Sequence, residues 1–203
     1  MQTALIALSV ALLLLIAFSA WQHARRLALA REHHIRAYVF PSAVLQDLTK
    51  VYPGLQPKDI SLAARALREF FLVHARAGGQ LIFMPSKVVD TLWHAFILDT
   101  RAYHAFCKAA FGDYFHHIPE RRMGAADKAD AARWTTWRLA CLEENIHPTK
   151  ATRLPLLFAL DAKLRIPGAV TYEPTSFKPP ATSSSGCGGG GGSDGCGGGC
   201  GGD

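Results

Sequence analysis

The chain has 203 residues, 49% of them hydrophobic and 19% charged, and a formal net charge of +6. A chain of this size is one domain with appendages, which excludes a large multidomain enzyme, a coiled-coil rod and a polytopic transporter. The averages hide three unlike zones. Residues 3–21 are apolar, the middle is long enough for one core, and residues 186–203 hold 12 of the 18 glycines.

The N-terminal run carries no charge in 19 positions. That length suits a helix crossing a bilayer. A signal peptide would place basic residues before a shorter apolar run. Here Gln2 and Thr3 follow Met1, and the one candidate cleavage site, Ala17-Phe18-Ser19, lies inside the run. The run therefore reads as a retained transmembrane anchor, 1–21. Arg25, Arg26, Arg31 and Arg36 follow it, against Glu32 alone. Basic flanks stay on the cytoplasmic side. The expectation is a single-pass protein of a bacterial inner membrane, with its N-terminus outside and its domain and C-terminus cytoplasmic. Residues 22–40 form a basic juxtamembrane segment that would sit near anionic headgroups.

The elements follow in chain order. Residues 42–52 place Val44, Leu45, Leu48 and Tyr52 on one helical face, ending at Pro53-Gly54. Pro57 opens the next helix, with Ile60, Ala63, Ala64, Leu67 and Phe71 as its stripe, and Gly78-Gly79 closes it. Pro85-Ser86 starts a third helix running to Leu98. Asp99-Thr100 caps a fourth, which runs from Arg101 to Phe111 and stops at Gly112. A fifth spans about 125–145, with Trp134, Trp137 and Cys141 on one stripe. Pro155 opens a sixth within 154–166. The only strand candidate is 80–84, Gln-Leu-Ile-Phe-Met. Five or six short helices make an all-α domain over 41–172. Residues 173–203 form a Pro/Ser linker and a glycine-rich tail that cannot bury apolar area and reads as disordered.

The domain's 17 basic and 12 acidic side chains are scattered. No basic run with interleaved aromatics marks a nucleic-acid surface. The expected partners are the lipid bilayer and another protein. Five cysteines, Cys107, Cys141, Cys187, Cys196 and Cys200, are an odd set without a C-x-x-C pair. That argues against a disulfide framework. The three tail thiols read either as incidental or as a soft-metal or redox tether.

The residues with chemistry cluster in 85–119. Asp90 and His94 are four apart on one helix and share a face. Tyr103 and Cys107 are four apart on the next. His116 and His117 follow in a loop. A helical hairpin could bring His94, Cys107 and one of the two loop histidines together, with Asp90 as a fourth ligand or as the partner of the second ring nitrogen. Imidazole and thiolate suit zinc. The competing reading is a packing motif, with His94 hydrogen-bonded and Cys107 a small buried hydrophobe. A third reading pairs Cys107 as nucleophile with His94 as base. No H-E-x-x-H, Walker A or G-x-S-x-G motif is present.

The pattern D-x-L-W-H, then Y-x-x-x-C, then G and a following H resembles the glycine-rich domain-containing protein family. The matching positions are Asp90, Trp93, His94, Tyr103, Cys107, Gly112 and His117. Residues 154–168 and the Gly/Cys tail resemble its bacterial members. Phe96 departs from the plant pattern, which often has a second histidine two places after the first. The resemblance implies an α-helical module with a glycine-rich tail and names no reaction. The functional expectation is a membrane-anchored helical module for binding or scaffolding. The alternative is a zinc-binding protein or a Cys–His thiol enzyme built on His94 and Cys107.

Overall fold

Most helices begin and end at residues chosen by backbone chemistry, and these marks set the architecture. In the computed structural model, which describes residues 2–118 and 126–179, the helices are α1 (Gln2–Ala37), α2 (Ser42–Val51), α3 (Pro57–Ala77), α4 (Lys87–Leu98), α5 (Thr100–Ala110), α6 (Ala126–Glu143) and α7 (Leu156–Lys163), followed by a 3-10 turn at Pro174–Ser176. No strand occurs among the described residues. A capping box between Gln56 and Asp59 and a proline at N1 start α3. Gly78, at φ +59°, ends it, in the left-handed region where glycine has no Cβ penalty. Asp99 caps α5 by accepting from the Ala102 amide at 3.3 Å.

Helix α3 lies at the centre and packs on α1, α2, α4, α6 and α7. Phe71 occupies the middle of an aromatic core with Trp93, Phe96, Phe106, Phe111 and Phe115. A second aromatic group forms where Trp137 stacks on Phe177 at 4.3 Å, with Phe158 edge-on to both. The Trp137 indole donates to the Pro148 carbonyl at 2.8 Å. Phe177 therefore docks on the domain, although the sequence places it in the linker.

The expected transmembrane helix is overturned. Among the described residues no helix is long and apolar enough to cross a membrane. The apolar run does not end at a boundary. It continues as one helix through Arg25, Arg26, Arg31 and Glu32 to Ala37, and its C-terminal turns pack on α3 and α5. Ile35 and Phe40 are core residues. Arg36 pairs with Glu32 at 2.8 Å and with Glu143 at 2.5 Å, and Arg76 pairs with the same two carboxylates. These pairs tie α1 to α3 and α6. The side chains of residues 3–10 lie outside the described residues, as does the glycine-rich tail.

The short strand candidate at 80–84 forms no strand, because its backbone finds other partners. The Gln80 amide bonds back to Ala77 at the end of α3. The Phe83 amide donates to the buried Thr136 hydroxyl of α6 at 2.8 Å. The segment is a non-helical bridge between α3 and α4.

The start of α4 is held by a buried carboxylate. Asp161 of α7 accepts from the Ser86 hydroxyl at 2.5 Å, from the Lys87 amide at 2.6 Å and from the Val88 amide at 3.3 Å. Ser86 in turn accepts from the Val89 amide. A negative charge at a helix N-terminus satisfies orphan amides and complements the helix dipole. Asp161→Ala leaves those donors buried without an acceptor. It should cost about 3 kcal/mol of unfolding free energy, read by urea denaturation. A loss below about 1 kcal/mol would mean that the clamp does not hold α4.

Candidate metal centre

Helix α4 presents Asp90 and His94 one turn apart on its outer side, while Val89, Trp93 and Phe96 face the core. His94 is exposed, and Asp90 and His117 are half-buried. Asp90 Oδ2 lies 3.3 Å from His94 Nδ1 and Asp90 Oδ1 lies 3.1 Å from His117 Nε2. The two imidazole rings are 4.4 Å apart by centroid. One ligand atom from each of the three residues falls within 4.8 Å of the other two. Tetrahedral bonds of ~2.0–2.1 Å separate ligand atoms by ~3.3 Å. Each imidazole nitrogen stands near that edge length from a different carboxylate oxygen, Oδ2 for His94 and Oδ1 for His117.

His117 reaches Asp90 because the loop after α5 is folded back and pinned. Gly112 takes φ +86° and its amide closes α5 on the Cys107 and Lys108 carbonyls. A Cβ at Gly112 would stand 2.5 Å from Arg31 Nη2. Trp93 Nε1 donates to the Tyr103 hydroxyl at 3.1 Å, and that hydroxyl donates to the Phe115 carbonyl at 2.6 Å. Burial pushes the Tyr103 phenol far above its ordinary value, so it stays a donor. Phe115 stacks on Trp93 at 4.9 Å, two residues before His117. His116 points elsewhere, against Tyr114 at 4.8 Å, and is exposed.

The sequence-derived set is thus divided. Asp90, His94 and His117 come together. Cys107 does not join them. It is 1% exposed on the inner face of α5, where Tyr103 and the Phe115 backbone touch its thiol and burial raises its pKa. A buried, protonated thiol is a poor nucleophile and a poor ligand. Trp93, Tyr103 and Gly112 serve as the frame that positions the loop. Cys187, Cys196 and Cys200 lie outside the described residues.

Two residues escaped the sequence reading. Phe115 links the Tyr103 hydroxyl to the His117 loop through its backbone carbonyl, which no side-chain pattern announces. His74, near the end of α3, stacks flat on Phe115 with centroids 3.5 Å apart and meets Phe111 edge-on at 4.8 Å. Desolvation lowers its pKa from 6.5 to about 4. Nothing adjacent in sequence signals that environment.

Two outcomes follow from this geometry. Tyr103→Phe strips the Trp93 indole and the Phe115 carbonyl of their shared partner. It should cost about 2–3 kcal/mol in denaturant unfolding and broaden the His117 ring resonances. An unchanged midpoint would show that the strut is idle. His74 favours the neutral form in the folded state, so protonation opposes folding. Its contribution is intact above pH 6.5 and is lost as pH falls towards about 4. The decline in stability across that window should be shallower in His74→Phe, and an identical slope would contradict the assignment.

A search against protein-family models matches residues 30–192 to the family described as UCP032817-like. No curated protein and no solved structure matches the chain. The family match covers most of the chain and overturns the resemblance to the glycine-rich domain-containing proteins, which rested on the block from Asp90 to His117, on residues 154–168 and on the Gly/Cys tail. The chain belongs to the UCP032817-like family.

Proposed function

We propose that this chain is a helical metal-binding protein that holds one divalent transition ion, zinc in the first instance, on Asp90, His94 and His117. The observation that carries this reading is the convergence of one carboxylate and two imidazoles, drawn from a helix and a separate loop, with ligand atoms within 4.8 Å. Two imidazoles and a carboxylate form a donor set suited to zinc and other borderline divalent ions. Three protein ligands leave a fourth position open, the arrangement of sites that present water or a small ligand to the metal. The exposure of His94 gives the ion a way in. Cys107 has no part in the site. The same three residues also suit a purely structural role in which Asp90 bridges two imidazoles, and the experiment separates the two.

Equilibrium dialysis of the full chain against zinc, followed by elemental analysis, should give one ion per chain. His94→Ala and His117→Ala should each weaken binding by more than the roughly 10–100-fold that loss of a supporting residue costs. Cys107→Ala should leave the affinity unchanged. Absence of stoichiometric zinc, or undiminished binding in both histidine variants, would overturn the proposal.

A further inference from the structure

Behind His117 lies a cavity of about 250 Å3, between the last turns of α3, the 79–84 bridge, Trp93 and the 114–118 loop. Its walls are aromatic at Phe70, Trp93 and Phe115 and aliphatic at Ile82, Met84 and Ile118. Among the described residues that line it there is no Asp, Glu, Lys or Arg. An ionised guest would give up part of its hydration there without meeting a carboxylate, ammonium or guanidinium on the walls, a penalty in a mostly apolar site. The imidazole of His74 is uncharged at neutral pH. Neither of its ring nitrogens has a hydrogen-bond partner among the described residues, and the residue lines both this cavity and the neighbouring one beside α1. The Trp93 indole N–H, by contrast, is already committed to Tyr103, and His117 Nε2 to Asp90.

We propose that this cavity is a binding site for a small, neutral, monocyclic aromatic molecule bearing one hydroxyl or N–H group, with its ring packed among Phe70, Trp93 and Phe115 and its polar group hydrogen-bonded to His74. The size fits: an apolar protein cavity of roughly 150 Å3 takes benzene, and the larger space here leaves room for substituents. Apolar pockets with a few convergent polar groups are the usual form of small-molecule sites. The ring of His117 lines the cavity, lies 4.6 Å from Trp93 by centroid and is bonded to Asp90. The site stands on the cavity itself and needs no metal.

The test is calorimetric titration of the full chain with p-cresol, in EDTA so that the metal reading has no bearing on the result. Benzoate is the charged control of similar size. The expected result is saturable binding of one p-cresol per chain, with benzoate at least tenfold weaker. Leu81→Trp and Ile118→Trp each change a partly exposed wall residue, fill the space, and should weaken p-cresol at least tenfold in whichever variant keeps the wild-type melting curve. His74→Phe should weaken p-cresol about fivefold, the effect of one hydrogen bond, and leave toluene binding unchanged. No p-cresol binding, equal binding of benzoate, or undiminished affinity in a folded cavity-filling variant would overturn the site. An unchanged p-cresol affinity in His74→Phe would overturn the role of His74.

Discussion

The buried hydroxyl of Tyr103 is the joint on which the site depends. It accepts the Trp93 indole proton and donates to the Phe115 carbonyl, so one oxygen links α4, α5 and the returning loop. All three groups are buried, and a buried polar group left without a partner costs more than the bond itself contributes. With the joint made, Phe115 is stacked on Trp93 and His117 arrives at Asp90. Without it, the loop keeps only the stacking of Phe115 on Trp93 and His74 and the His117–Asp90 contact to set its depth against α4.

The rest of the fold holds the two ends of that joint. Asp161 fixes the start of α4 from α7, which sets the rotation that points Asp90 and His94 outwards. Phe71 and its ring neighbours fix the inner face of the same helix. Helix α1 closes the far side: Arg31 lies over Gly112, where the chain must turn with positive φ. The Arg36–Glu143 and Arg76–Glu32 pairs are partly exposed and add little individually. Their main effect is to orient α1 rather than to stabilise the core.

Helix positions were legible in the sequence where backbone chemistry marks them: Pro57 and Gly78, Ser86, Asp99 and Gly112 all sit at the expected boundaries. The burial of Trp137 was legible from its helical stripe, whereas Trp134 on the same stripe is only half-buried. The Asp90–His94 pair was legible because residues four apart share a face. Cys107 stayed open between ligand and buried hydrophobe for a physical reason. Its spacing from Tyr103 states that both lie on one face of α5, but not that this face points into the core. Only the packing against α4 and α1 decides that rotation. The choice between His116 and His117 also depended on the loop, since adjacent residues diverge and the Phe115 carbonyl selects which one faces Asp90. The N-terminal run misled because composition alone does not reveal that α1 continues through its charged residues and docks on the domain.

The central claim is that Asp90, His94 and His117, without Cys107, form the metal site. X-ray absorption at the zinc edge of the loaded full chain tests it most directly. Nitrogen and sulfur neighbours scatter differently, and zinc–sulfur bonds of ~2.3 Å stand apart from nitrogen and oxygen bonds of ~2.0–2.2 Å. The account predicts a shell of light atoms with the outer-ring scattering of two imidazoles and no sulfur. A sulfur neighbour at the longer distance, or a spectrum with fewer than two imidazoles, would contradict it.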